Sequence, residues 1–198
     1  KRALHISLPM GLQQTIMCSA YVMTTIIIAP LGTFAIAANS FGVIVESLCY
    51  MPGYGIADAA TTLVGQSIGA GRHELMKRFA WLSVGLGVTV MAVMGVVMYV
   101  GAPVAMAMMT PAEEVRRLGV EVLRIEAFAE PMFAAAIVSY GVFVGAAKTL
   151  VPSIMNLVSI WGVRISLAAL LAPSMGLRGV WIAMCIELCF RGFIFLVK

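Results

Sequence analysis

Charged residues are scarce in this sequence of 198 residues. They make up 11% of the chain, whereas soluble domains contain about 25%. Apolar residues make up 62%. This composition excludes a soluble globule, a disordered tail and a domain that binds nucleic acid. It indicates instead a protein whose main partner is the lipid bilayer.

Motifs for catalysis are also missing from the sequence. There is no H-E-x-x-H zinc motif, no G-x-S-x-G nucleophile turn and no glycine-rich phosphate loop. The four cysteines all lie in apolar runs, and their spacing predicts no zinc or redox site. We therefore expect neither an enzyme nor a resident cofactor or metal.

Long apolar runs separated by Pro and Gly are the main feature of the chain. A membrane helix needs about 20 residues, and these runs predict six such helices in an all-α membrane protein. We expect one unit over residues 1–198, with helices at 6–29, 34–69, 74–100, 111–147, 151–172 and 178–197. The second and fourth are longer than a bilayer requires, and we expect the second to bend at Pro52 and Gly53.

Basic residues cluster in alternate connecting segments. They occur at both chain ends and after the second and fourth helices, as Lys1, Arg2, Arg72, Lys77, Arg78, Lys148 and Lys198. Cytoplasmic loops are enriched in Lys and Arg. We therefore expect a multi-pass protein of the plasma (inner) membrane with both termini in the cytoplasm.

The second and fourth helices end in similar motifs. They are Gly65-x-x-x-Gly69-Ala70-x-Arg72 and Gly141-x-x-x-Gly145-Ala146-x-Lys148. Small residues four positions apart allow two helix backbones to approach closely. The motifs predict two tight helix crossings, and an ancient internal repeat is the alternative interpretation.

Several charged residues fall at membrane depth. The helical rise places Glu46, Glu130, Arg164 and Glu187 near the bilayer midplane. Charged groups there are costly and are functional candidates by default. Glu187 precedes Arg191 by four positions, a spacing that favours an ion pair within the helix.

Glu126 and Glu130 form an acidic pair one helical turn apart, with no basic residue beside it on the same helix. Proton coupling needs a carboxyl group that exchanges its proton near neutral pH, so both are coupling candidates. The alternative for Glu130 is a structural ion pair with Arg164. Glu46 has no base on its helix either, and it could meet a cation or a partner from another helix.

A polar strip follows Asp58 along the second helix. It continues through Thr61, Thr62 and Gln66 at helical spacing. The strip is expected to form either a cavity wall or a seam of hydrogen bonds between helices.

The chain resembles the multidrug and toxic compound extrusion (MATE) transporters. The most specific stretch runs from MPGYGI at residues 51–56 to LVGQSIGAG at residues 63–71. Further similar segments occur in the same order along nearly the whole chain: APLG at 29–32, AIAA at 35–38, GVFVG at 141–145, Lys148-Thr149, and Trp161 with Arg164.

The resemblance implies the C-terminal lobe of a twelve-helix transporter. Such a lobe would need the N-terminal lobe or a second copy to complete an antiporter. The family exports drugs and organic cations in exchange for protons or sodium by alternating access. Aligned motifs place Met17 and Phe133 where sodium-coupled members carry acids, so protons are favoured as the coupling ion. Glu130, one helical turn from Phe133, could take the place of the missing acid.

Two other functions stay open at this point. One is a related flippase for lipid-linked sugars, which would need a basic stripe along its cleft. The candidates for that stripe are Arg124, Arg164 and Arg191. The other is a membrane scaffold that does not transport.

Overall fold

A computed structural model describes residues 2–197, so Lys1 and Lys198 of the charge argument lie outside the described residues. The backbone is almost entirely helical. The α-helices are α1 Arg2–Ile28, α2 Thr33–Gly69, α3 His73–Met109, α4 Glu113–Ala127, α5 Glu130–Gly145, α6 Leu150–Val158, α7 Ser166–Met175 and α8 Leu177–Val197. A 3-10 turn (Ala29–Leu31) follows α1, and a π-helix (Ser159–Ile165) joins α6 to α7.

Five helical stretches of the described residues are long and apolar enough to cross a membrane, and there are six candidate spans if one bent helix pair counts as a single span. Four are the long apolar helices α1, α2, α3 and α8, and a fifth is the continuous stretch Leu150–Met175. The sixth is the pair α4 and α5, which are bent by 59° relative to each other. The prediction of an all-α membrane protein is confirmed.

Four of the five turns between spans contain a residue with positive φ. Gly32 (98°) and Gly176 (63°) lie at one end of the bundle, here called the Gly32 end. Gly71 (69°) and Ala147 (57°) lie at the opposite end, the Gly71 end. A residue in this region lets a helix stop and its chain reverse.

The two similar motifs of the sequence are helix C-caps with the same hydrogen bonds. The Arg72 N–H donates to the Ser67 carbonyl at 2.9 Å, and the Lys148 N–H donates to the Phe143 carbonyl at 2.9 Å. Both bonds span six residues, as in a Schellman cap. The repeated pattern therefore has a local structural cause.

The fourth span is broken, which corrects the prediction of one helix over residues 111–147. Helix α4 begins at Glu113 and ends at Ala127, and α5 begins at Glu130 with Pro131 in its first turn. Proline has no N–H to donate and disfavours helical backbone at the residue before it. The chain therefore ends one helix and starts another in a new direction.

Prolines do not interrupt three other spans. The expected bend at Pro52 and Gly53 stays a prediction, because a helix can be kinked without being interrupted. Helix α2 continues through Pro52 to Gly69, α3 runs through Pro103 to Met109, and α7 runs through Pro173 to Met175. The predictions that the third span ends near residue 100 and the fifth near residue 172 were wrong. A proline removes only one backbone hydrogen bond, and packing between membrane helices tolerates that loss.

Helix α5 crosses α2 at close range. A Cβ atom built on Gly141 would overlap the Ala57 carbonyl, and one on Gly145 would overlap the Thr61 carbonyl. The Thr61 hydroxyl donates to the Gly141 carbonyl at 2.9 Å. Thr61 thus supplies one hydrogen bond of the seam that the polar strip predicted.

The glycines on the α2 side of this crossing are less constrained. A Cβ on Gly65 would make ordinary contact with the Gly145 carbonyl at 3.5 Å. A Cβ on Gly69 would meet open space, so Gly69 takes no part in the crossing. On the same helix, Gly53 leaves room for the Met91 side chain, whose sulfur would lie 3.2 Å from an added Cβ.

Replacing Gly141 with Ala is expected to lower the free energy of unfolding by about 1–3 kcal/mol, because the new methyl group overlaps backbone of α2. The matched change Gly69→Ala should leave it within about 0.5 kcal/mol. Thermal unfolding in detergent measures both. Equal effects would show that α5 and α2 do not cross at Gly141.

Candidate functional site

A cavity of about 270 Å³ lies among α1, α2, the π-helix and α8. Three charged side chains line it, Glu46, Arg164 and Arg191. Its other polar lining residues are Thr24, Thr25, Asn39, Ser40, Tyr21, Tyr50 and Tyr54. A charged, polar cavity among membrane helices is a candidate site for ligands or ions.

A second cavity of about 260 Å³ adjoins the first and shares Met17, Tyr54, Phe133 and Arg191 with it. Met17 and Phe133 are the two positions that the resemblance aligned with sodium-binding acids. The structure brings them together, and the Arg191 guanidinium lies 5.6 Å from the centre of the Phe133 ring.

Arg164 is carried by the π-helix, whose wider turn changes the direction of the side chains on this span. Its guanidinium lies 2.7 Å from the Met184 sulfur and 5.8 Å from the centre of the Tyr21 ring. None of the ion pairs within 4.0 Å among residues 2–197 includes Arg164. The expected alternative pair of Glu130 with Arg164 is therefore not formed.

Glu187 and Arg191 form the ion pair that their spacing predicted. Their side chains approach to 3.2 Å, and both are buried. The Ser159 hydroxyl donates to the Glu187 carboxylate at 2.6 Å. The three residues form a buried polar cluster that joins the π-helix to α8.

Glu126 and Glu130 lie on the two sides of the break in the fourth span. Each side chain is only 1% exposed. Both Glu130 carboxylate oxygens and one of Glu126 have no hydrogen-bond partner among the described residues. The break fits closely against α3, because a Cβ on Gly95 would overlap the Ala127 carbonyl and crowd Glu130.

Glu46 links this acidic pair to the cavity. It is buried on α2 and lines the cavity wall. It interacts electrostatically with Arg164 on one side and with Glu126 and Glu130 on the other.

Asp58 and Gln66 are not part of this site. Both are exposed on α2, toward the Gly71 end and away from the residues that line the cavity. The Thr62 hydroxyl donates to the backbone carbonyl of Asp58 and not to the Asp58 carboxylate. Of the predicted strip, only Thr61 reaches another helix.

The three candidate arginines do not form a continuous basic stripe. Arg164 and Arg191 reach the cavity, and Arg191 is paired with Glu187. Arg124 lies outside it, with its guanidinium 5.1 Å from the centre of the Tyr99 ring. This arrangement gives no support to the flippase alternative.

Sequence reasoning missed the contact between Trp181 and Asn39. The indole N–H donates to the Asn39 side-chain oxygen at 3.1 Å and ties α8 to α2 beside the cavity. A polar Asn within an apolar helix was the available signal. The π-helix was missed as well, because its sequence, SIWGVRI, has no pattern that separates it from an α-helix.

Comparison with known proteins identifies the fold. A family model described as MatE matches residues 9–170. The chain is similar to proteins named probable multidrug resistance protein NorM. It is 29% identical to that of Xylella fastidiosa over 187 residues, 93% of this chain and 40% of the relative. It is 26% identical to that of Thermotoga maritima over 196 residues, 96% of this chain and 42% of the relative.

Solved structures show the same architecture. The chain matches the Vibrio cholerae MATE transporter VcmN in its bent form with a TM-score of 0.91 at 18% identity. It matches a MOP superfamily transporter from Pyrococcus furiosus with a TM-score of 0.91 at 16% identity. The first match covers 98% of this chain and 44% of the neighbour, and the second covers 97% and 43%. The chain thus spans less than half the length of these proteins.

Two ion pairs of the chain provide a matched test of burial. Changing Arg191 to Met leaves the buried Glu187 carboxylate unpaired, which is expected to lower the free energy of unfolding by about 3–5 kcal/mol. The Arg178 side chain, which pairs with Glu121, is 54% exposed, so Arg178→Met should cost about 1 kcal/mol or less.

Thermal unfolding of the purified variants measures both effects. Adding Glu187→Gln to Arg191→Met should recover part of the loss, because no unpaired charge remains. Equal destabilisation by the two arginine changes would contradict the buried pair.

Proposed function

The chain belongs to the MatE family, and on that premise we propose that it is the C-terminal half of a drug and organic-cation antiporter. Export would occur across the plasma membrane in exchange for protons, by alternating access. The other half would be an N-terminal lobe or a second copy of this chain. The proposal is supported by relatives named as multidrug resistance proteins, of which this chain covers about 40%.

The acidic pair Glu126 and Glu130 carries the proposal of coupling. Both carboxyl groups are buried, and neither forms an ion pair within 4.0 Å with any side chain that the structure describes. A carboxylate without a partner is costly in such a place, and a bound proton removes the charge. The pair would therefore alternate between a proton-loaded state and an ionised state that water reaches in another conformation.

Glu46 provides the connection between this exchange and the substrate. It interacts with Glu126 and Glu130 and also lines the cavity. A cation near Glu46 favours proton release from the acidic pair, and a bound proton there weakens cation binding. Such reciprocal coupling is what antiport requires.

The two positions that align with sodium-binding acids support the choice of protons over sodium in this proposal. Sodium is a hard cation that is held by oxygen ligands. The positions aligned with sodium-binding acids are Met17 and Phe133, and the Arg191 guanidinium lies against the latter. A methionine, a phenyl ring and a cation do not make a sodium site.

The positions of several basic residues support the proposed orientation. Arg72, Lys77, Arg78 and Lys148 all lie near the Gly71 end of the bundle. The positive-inside rule assigns this end to the cytoplasm. Both chain termini would then be cytoplasmic.

The variant Glu130→Gln in the natural full-length protein tests the coupling. It keeps the size of the side chain and removes the ionisable proton, so export driven by a pH gradient should fall by at least about 100-fold, to the level of an empty vesicle. Dye efflux from proteoliposomes measures this. The exposed Glu114 on α4 supplies the matched control, and Glu114→Gln should behave as wild type.

The variant Glu130→Asp, which retains a carboxyl group, should recover part of the export. Export by Glu130→Gln at the wild-type rate and with the same pH dependence would contradict the role of Glu130. Export that follows a sodium gradient and ignores a pH gradient would contradict the choice of ion.

A further inference from the structure

An open groove of about 330 Å³, here called the Arg124 groove, lies on the surface of the lobe between α3, α4 and α8. The residues that line it are Tyr99, Arg124, Ile125, Phe128, Ile182, Cys185 and Ile186. Arg124 is the charged residue of this set, and the others offer apolar or aromatic surface. Acyl chains of the bilayer can cover such a surface, but they offer nothing to the positive charge of an arginine.

The groove and the cavity use different faces of α8. The groove residues of this helix are Ile182, Cys185 and Ile186, and its cavity residues are Val180, Trp181, Met184, Leu188 and Arg191. At 100° per residue, the centres of these two sets lie about 140° apart around the helix. A second lobe that completes the cavity would lie on the cavity side, which leaves the groove facing lipid. Binding in the groove therefore does not depend on the proposed transport.

Arg124 has lost the acidic partner that its own helix could offer. Glu121 precedes it by three positions, a spacing that allows an ion pair within a helix. The structure instead pairs Glu121 with Arg178 of α8, through two hydrogen bonds of 2.7 and 2.6 Å. Among the side chains that the structure describes, Arg124 has neither an ion pair within 4.0 Å nor a hydrogen bond.

The contact that Arg124 does make leaves its N–H groups available. Its guanidinium lies 5.1 Å from the centre of the Tyr99 ring. The face of the ring attracts the cation, but it does not supply the oxygen acceptors that five N–H donors can bind. The Tyr99 and Phe128 rings also contact each other, with their centres 5.8 Å apart. The guanidinium is therefore held at the groove with its donors unpaired.

Arg124 lies near the level where the hydrocarbon of a bilayer meets the lipid headgroups. Helix α3 has 37 residues, which makes it about 55 Å long against about 30 Å of hydrocarbon. An α3 centred in the bilayer would extend about 12 Å beyond the hydrocarbon on each side. Arg124 follows the first residue of α4 by eleven positions, which places it about 16 Å from the Gly32 end. A long arginine side chain can reach the lipid phosphates from that depth.

From this arrangement we infer that the Arg124 groove is a binding site for an anionic phospholipid. The guanidinium binds the phosphate oxygens, because its planar donors bind such oxyanions in pairs. One acyl chain lies along Ile125, Ile182 and Ile186. The neighbouring pair of Glu121 and Arg178 is neutral, so the groove carries the single positive charge of Arg124. A lipid with a net negative charge balances it, whereas a zwitterionic lipid brings a cation of its own.

Native mass spectrometry of the natural full-length protein tests the site. The protein is freed of lipid in detergent and titrated with phosphatidylglycerol or with phosphatidylethanolamine of the same chain length. The number of bound lipids and their dissociation constants are measured. The wild type is expected to hold at least one phosphatidylglycerol about fivefold more tightly than phosphatidylethanolamine, the factor for one arginine beside an anionic lipid.

The variant Arg124→Gln should bind this phosphatidylglycerol at least about tenfold more weakly, the factor of one charge-assisted hydrogen bond. The matched control is Arg117→Gln. Arg117 is an exposed arginine two turns away on the same face of α4, and it does not line the groove. This control should bind the lipid as the wild type does.

The variant Ile186→Trp separates the groove from the charge. It keeps Arg124 and fills the space of the acyl chain with a larger side chain, so it should also weaken binding of phosphatidylglycerol. Unchanged binding by Ile186→Trp would overturn the groove, as would an equal loss in Arg117→Gln and Arg124→Gln.

Equal affinity of the wild type for the two lipids would overturn the choice of an anionic lipid. If Arg124→Gln does not fold, Arg124→Lys should keep the preference in weaker form. The wild-type ratio and Ile186→Trp then decide the outcome.

Discussion

A charged side chain has no water to solvate it within the roughly 30 Å of hydrocarbon that a bilayer contains. The charged residues of this chain meet that constraint in two ways. Glu187 and Arg191 form a buried ion pair, and the Ser159 hydroxyl donates to the Glu187 carboxylate. Glu46, Glu126, Glu130 and Arg164 instead have no ion-pair partner among the described side chains. The unpartnered groups are the ones that ions and substrates can satisfy, and the proposed transport follows from them.

The backbone is irregular near three of these unpartnered charges, Glu126, Glu130 and Arg164, whereas Glu46 lies within the uninterrupted helix α2. Pro131 forces a new helix to begin at Glu130, and Gly95 gives the break the space it needs. The π-helix carries Arg164 on the fifth span. Irregular backbone inside a membrane is tolerated where protein or a water-filled cavity covers it. In this lobe, the departures from α-helix thus position the acidic pair that we assign to coupling and the Arg164 side chain of the cavity.

Local patterns were the part of this architecture that the sequence could predict. Hydropathy identified the apolar membrane helices, and the i,i+4 spacing identified the pair of Glu187 and Arg191, because both depend on neighbours within one helix. The pairing of Arg164 and the exposure of Asp58 depend on how helices rotate against each other, which no local pattern encodes. The effect of each proline on its helix could not be predicted, for the same reason. Pro131 breaks a span and Pro52 does not, and the difference lies in the packing around each.

Proton release on ligand binding tests the central claim most directly. The purified full-length protein would be mixed with tetraphenylphosphonium, an organic cation without a titratable group, in weakly buffered solution, and the change in pH would be followed with an indicator dye. The account predicts that binding of this cation releases protons and that the release disappears in Glu130→Gln, since the acidic pair and the cavity are linked through Glu46. Binding of this cation without any proton release, and with the same affinity at every pH, would contradict it.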